Sequence, residues 1–189
     1  MINACDLRNK NNVLKIEDKP GYYKWWATRE DLDFILDKLS VRFEDIQSGL
    51  EIRGGLYAVY VGISVKESVR NRLNWHVNDA HTASQVEHGT LSTLRQSIAS
   101  IVSGDQYDKD STNTFIDRLK VEYFVSDNPI KSDAAKEELH GIERELLSTH
   151  LYVLNIQENN HPLAAYTKRK LSQLRMMSKR RRYRGGKSV

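Results

Sequence analysis

Three short, apolar runs rich in aromatic residues set the limits on this fold. Residues 22–27, 56–63 and 119–125 each have the composition of a β-strand. The segments between them carry helical spacing or turn residues. Leu32, Ile35, Leu36, Leu39, Phe43 and Ile46 recur at helical intervals, and Gly49 and Gly54-Gly55 close that segment. Residues 67–78 read as a helix with Val69, Leu73 and Val77 facing inward. Ser92 caps a helix bearing Leu94, Ile98 and Ile101. Ser132 or Asp133 caps another, with Ala135, Leu139, Ile142 and Leu146 as its apolar positions. Gly141 inside that helix costs up to about 1 kcal/mol of propensity, so close packing is expected there. Residues 81–89 and 104–111 read as loops, residues 1–19 as an irregular arm with a short strand near 13–16, and residues 162–179 as a last helix.

Three strands among helices predict a small α+β domain. The expected layout is an N-terminal arm (1–19), a compact domain (20–160) with a helical insertion at about 30–50, and a basic helix and tail (161–189).

At 189 residues the chain has the length of one domain, and its 39% hydrophobic residues can build a core. No stretch approaches the roughly 18 apolar residues that span a bilayer, and the first 19 residues lack the apolar run of a signal peptide. The single cysteine, Cys5, excludes an intrachain disulfide and a cysteine-rich zinc site. A cytoplasmic protein without membrane contact is the expectation. All 25 acidic residues lie at or before Glu158, alongside 19 basic ones, whereas the last 31 residues hold ten Lys and Arg and no acid. Such a block is a footprint for phosphates. Lys168, Arg169, Lys170, Arg175, Lys179, Arg180, Arg181 and Arg182 are the candidate contacts to nucleic acid.

Against this frame stand polar residues at chemically useful spacings. Arg72 and His76 are four apart and share a helix face. Glu145 neighbours Ile142 and Leu146, which predicts a carboxylate at the edge of the buried face, with Glu143 turned more towards water. Tyr23 and Tyr60 sit on adjacent strand candidates, and Gly62 permits close backbone approach. Each has an ordinary alternative: a surface Arg and His, a helix-surface Glu, tyrosines that simply pack a sheet. Together they supply what phosphodiester hydrolysis needs. An arginine can hold phosphate charge, a carboxylate can hold a divalent metal with several waters, and a tyrosine with a lowered pKa can act as base.

In this order the residues resemble the GIY-YIG nuclease superfamily over about residues 20–160. Gly21-Tyr22-Tyr23 looks like the first motif, and Val59-Tyr60-Val61-Gly62-Ile63 like the second. Arg72 and His76 match the family's Arg-x-x-x-His, with Arg70 the competing arginine. Compact members separate the two motifs by about ten residues, whereas Tyr23 and Tyr60 are 37 apart here, with a helix inserted. The resemblance implies a three-stranded antiparallel sheet flanked by helices. It makes Tyr23 the base or water-orienting group and Tyr60 a group that contacts the phosphate or supports it. It gives Arg72 the scissile phosphate, His76 a share in proton transfer, Glu145 the role of sole protein ligand of a Mg2+ or Mn2+ ion, and Asn155 that of bracing the site. Residues 92–98 and 155–162 also resemble segments of a stand-alone bacterial subgroup, so Arg95 is either a DNA-backbone contact or an ordinary helix-surface arginine. The implied activity is metal-dependent endonucleolytic cleavage of DNA, in restriction, defence or repair. The alternative is a nucleic-acid-binding protein on the same fold that does not cleave. A palindromic target would require a homodimer.

Overall fold

The computed structural model describes residues 1–180. Its strands are β1 (Ile2–Asn3), β2 (Gly21–Ala27), β3 (Ile52–Arg53), β4 (Leu56–Ser64) and β5 (Lys120–Val125). Its α-helices are α1 (Lys10–Val13), α2 (Arg29–Leu39), α3 (Phe43–Ile46), α4 (Val69–Asn78), α5 (Ala83–Glu87), α6 (Thr93–Val102), α7 (Lys109–Ile116), α8 (Asp133–Thr149) and α9 (Ala164–Arg180). The sheet is antiparallel throughout, with strand order β1-β5-β2-β4-β3. It therefore has five strands rather than the three expected. β2, β4 and β5 are the three apolar runs, and β1 and β3 are two-residue edge pieces whose pairing is too brief to leave a period in the sequence.

Register places the two motif strands side by side. Tyr23 of β2 lies opposite Gly62 of β4, and Trp25 lies opposite Tyr60. A β-bulge follows Trp25, so Trp26 pairs with Ala58. Side chains alternate across a strand, so Tyr23, Trp25, Tyr60 and Gly62 share one face. That face carries the main core, into which Val69, Leu73 and Val77 of α4 and Leu94, Ile98 and Ile101 of α6 are packed. α8 covers the opposite face, where Leu147 and Tyr152 meet Trp26, Ala58 and Val61, and Ala135 and Leu139 meet Val65, Tyr22 and Ile63.

Residues 1–19 are not an irregular arm. Ile2 pairs with Val121, the Ala4 amide donates to the Leu119 carbonyl at 2.9 Å, and Ala4, Leu7, Val13 and Ile16 are buried in the core. The segment holds few apolar residues, yet all four of these point the same way. Val13 ends α1 and residues 14–16 follow it as turn and bend, not strand. The inserted helix is also interrupted. α2 stops at Ser40, which adopts a left-handed conformation (φ 54°) and lets the Val41 amide reach the Leu36 carbonyl. The chain then turns into α3. Both segments expected to be loops carry helix: α5 begins with a Thr82–Gln85 capping box, and α7 begins at Asp108, whose carboxylate accepts from the Ser111 amide. Gly141 is not a close-packing site, since a Cβ there would meet open space. α9 lies against α6 and α2, burying Ala164 and Leu171. Among the described residues no helix is long and apolar enough to cross a membrane.

Candidate active site

The site is built on the β2–β4 pair. Gly62 is glycine for a spatial reason: a Cβ there would lie 2.6 Å from the Tyr23 hydroxyl oxygen and 2.8 Å from Cζ. The Tyr23 ring thus lies directly over the β4 backbone. Its hydroxyl meets His76 Nε2 of α4 at 2.7 Å. His76 is 1% exposed and is enclosed by the rings of Tyr23, Trp25, Tyr60 and Trp75. Its Nδ1 meets the Ser92 hydroxyl at 2.6 Å, and that hydroxyl also caps α6 by accepting from the Arg95 amide. Thr93, next along, meets the Tyr60 hydroxyl at 2.7 Å. The start of α6 therefore holds both His76 and Tyr60.

Burial dominates the electrostatics. It raises Tyr23 well above the usual phenol value, and the nearby Arg72 charge offsets part of this. It lowers His76 well below the usual imidazole value, and the charges of Arg72 and Arg95 push the same way. At neutral pH the pair is a neutral phenol hydrogen-bonded to a neutral imidazole. Arg72 lies across the Trp75 ring, 4.7 Å from its centroid, and pairs with Glu67 at 3.1 Å. Its Nε is buried and has no hydrogen-bond partner among the described residues.

Beyond β3, the outer edge of β4 is covered by the segment after α8. The Leu154 amide donates to the Val59 carbonyl at 2.9 Å. Asn155 then acts as a pseudo-strand, its Oδ1 accepting from the Val61 amide at 2.9 Å and its Nδ2 donating to the Val61 carbonyl at 2.8 Å. A cleft of about 220 Å³ opens at this edge, lined among others by Tyr60, His140, Glu143, Asn155, Glu158 and Arg175. Of the two α8 carboxylates, the one facing it is Glu143. Glu145 is exposed and is not among the residues lining the cleft, which corrects the expected orientation of the pair. The reason is helical phase. Ala135, Leu139 and Leu147 are buried, and Glu143 continues this i, i+4 ladder. Taking Leu146 in place of Leu147 as the inner residue rotates the expected stripe towards Glu145. Burial first, and then the charge of Glu158, raise the Glu143 carboxyl to about 7.

Arg95 is neither a phosphate contact nor a surface residue. It is fully buried, and its guanidinium donates to His81 Nε2, to the carbonyls of His76 and Val77, and to Asn113 Oδ1. Desolvation lowers its pKa to about 10. α6 is packed against α7, α9 and α2, so it has no free face from which Arg95 could reach DNA.

Of the basic residues on α9, Arg169 is exposed and stacks on Tyr166, Lys170 is half-buried, and Lys168 donates to the Asn159 carbonyl. Arg175 reaches the cleft, tethered to the Gln96 side chain, and burial lowers its pKa. Lys179 lines a neighbouring groove with Arg175, Thr93 and Gln96. The Arg180 side chain, Arg181 and Arg182 lie outside the described residues. Sequence reasoning missed Glu143, His140, Glu158, Ser92 and Thr93 as parts of the site. The i, i+4 ladder was a signal for Glu143 alone; the others are brought in by tertiary packing.

The family described as the GIY-YIG catalytic domain matches residues 21–177. A search of the curated proteins and one of the solved structures found no match. The match runs from the first residue of β2 into α9 and takes in the tyrosine pair, the α4 face and the cleft, so the chain belongs to the GIY-YIG catalytic domain family.

Proposed function

We propose that this chain is a metal-dependent endonuclease that hydrolyses phosphodiester bonds in DNA. One observation carries the reading. Tyr23, Tyr60, His76 and Arg72 gather from β2, β4 and α4, and Tyr60 lines a cleft that holds a partly buried carboxylate with no Lys or Arg partner among the described residues. Glu143, rather than Glu145, is the carboxylate that fits a divalent metal. A half-enclosed carboxylate is hard oxygen chemistry suited to such an ion. When bound, the metal supplies a Lewis acid for the phosphate and leaving oxygens.

The chain's own groups do the rest. The Tyr23 hydroxyl takes a proton from the attacking water as its own proton passes to His76 Nε2. A relay of this kind avoids a free phenolate, which burial disfavours. It requires the proton of neutral His76 on Nδ1, where Ser92 Oγ can accept it. The Arg72 guanidinium, held against Trp75 and paired with Glu67, supplies positive charge for the phosphate. Asn155 keeps the β4 edge, and hence Tyr60, in place. The half-buried and exposed cations of α9 follow the DNA backbone.

The test is nicking of supercoiled plasmid with Mg2+ or Mn2+, comparing wild type, Glu143→Gln and Glu145→Ala. Cleavage by wild type and Glu145→Ala, abolished in Glu143→Gln and with chelator, is the expected result. No turnover by the wild type, or cleavage indifferent to chelator, overturns the proposal.

A further inference from the structure

His140 and Glu143 stand one turn apart on α8, with His140 Nδ1 and Glu143 Oε2 at 3.6 Å. Glu158 reaches the same point from the turn that follows Asn155. One ligand atom from each of the three lies within 4.8 Å of the other two. Neighbouring ligands around a six-coordinate ion with bonds of about 2.1 Å stand about 3 Å apart. A small closing movement of two exposed side chains therefore produces a coordination shell. All three residues line the cleft that also holds Tyr60 and Asn155, so the cluster borders the proposed site.

The charges point the same way. Among the described residues no Lys or Arg forms an ion pair with Glu143 or Glu158. Arg175 is at the cleft wall, but its guanidinium is tied to Gln96. Two carboxylates facing each other without a Lys or Arg between them repel, and a divalent cation relieves that repulsion. The imidazole decides which cation. Carboxylate and water suit Mg2+, whereas a nitrogen ligand shifts preference towards first-row transition ions.

We infer that His140 and Glu158 join Glu143 as protein ligands of one divalent ion, and that this His–Glu–Glu site binds Mn2+ more tightly than Mg2+. The inference rests on the assignment of Glu143 as the metal carboxylate. A single-carboxylate site would leave most of the shell to water and would favour Mg2+ chemistry; three protein ligands leave about three positions for water and phosphate oxygens.

The test is direct binding of Mn2+ to the purified full-length chain, read from the electron paramagnetic resonance of free Mn2+, with Mg2+ as competitor. One Mn2+ per chain is expected, displaced only by a large excess of Mg2+. His140→Ala and Glu158→Gln should each weaken Mn2+ binding by about tenfold or more, with His140→Ala also reducing the preference over Mg2+. Glu143→Gln should abolish binding. Wild-type affinity in both His140→Ala and Glu158→Gln overturns the three-ligand site and leaves the nuclease proposal standing. Wild-type affinity in Glu143→Gln, or no Mn2+ bound by the wild type, overturns the metal assignment itself. Mn2+ binding as expected with no plasmid nicking supports the site and sinks the nuclease proposal instead. Circular dichroism of each variant verifies its fold, and since His140 is exposed, its substitution leaves the core untouched.

Discussion

The Tyr23 hydroxyl and His76 Nε2 are 2.7 Å apart inside an aromatic enclosure, and the ring of Tyr23 reaches that position across the bare backbone of Gly62. Strand register, a glycine and one helix face thus meet in one hydrogen bond. Tyr23→Phe removes the hydroxyl and keeps the ring. Turnover should fall at least about a hundredfold, the usual scale for removing a proton-transfer group, with DNA binding nearly unchanged and stability lower by about 1–3 kcal/mol, because the buried His76 Nε2 loses its partner. Single-turnover kinetics with a binding assay separates the two effects.

Gly62→Ala tests the same hydrogen bond from the opposite strand. The added methyl needs space that the Tyr23 hydroxyl and Cζ occupy, so the ring must leave His76. Overpacking of this kind costs about 1–3 kcal/mol of stability. Activity should fall towards that of Tyr23→Phe, and the double variant should lose little more, because both changes break one unit. Additive losses would show that Gly62 serves some other purpose.

Arg95→Met should leave a folded but much weaker protein. It strands His81 Nε2, Asn113 Oδ1 and two backbone carbonyls, and each unsatisfied buried group costs about 1–3 kcal/mol. Denaturant unfolding should show a drop of several kcal/mol, with Arg95→Lys no full rescue because a lysine cannot span all four acceptors. A variant as stable as wild type that binds DNA poorly would restore Arg95 to the DNA interface.

Stability should fall on acidification below about pH 6.5. Burial, and then the Arg95 charge, lower His81 to about 4 in the folded state, whereas an unfolded histidine titrates near 6.5. The unfolded chain therefore binds more protons between these values, and stability drops as pH falls from about 6.5 to about 4. His76, also lowered by burial, adds to the slope. His81→Gln should flatten it. Urea unfolding at a series of pH values measures the slope in both proteins; an equal slope in the variant would remove His81 as a cause.

Neutralising Arg169 and Lys170 together should weaken DNA binding uniformly across sequences. The slope of log affinity against log salt should drop by about one unit for each DNA phosphate that is left without its cation. An unchanged slope would show that this part of α9 does not lie along the backbone.

Much of this molecule was legible in its residues. The three apolar runs became β2, β4 and β5, the spacing of Val69, Leu73 and Val77 became the inner face of α4, and the two tyrosine motifs and Arg-x-x-x-His pointed to the family. Short-range pattern carries that information, because period and capping are local properties of a chain. Which side of a helix meets a cleft is not local. α8 presents Glu143 because Leu147, rather than Leu146, is buried against Trp26 and Tyr152 of its neighbours. Arg95 became internal because α7 and α9 close over α6, and the N-terminal residues became core because β5 offered an open edge to β1. The sequence by itself determined the elements and the chemical groups available. The tertiary structure decided which of those groups share a cavity and which are shut away from solvent, since burial depends on partners far along the chain.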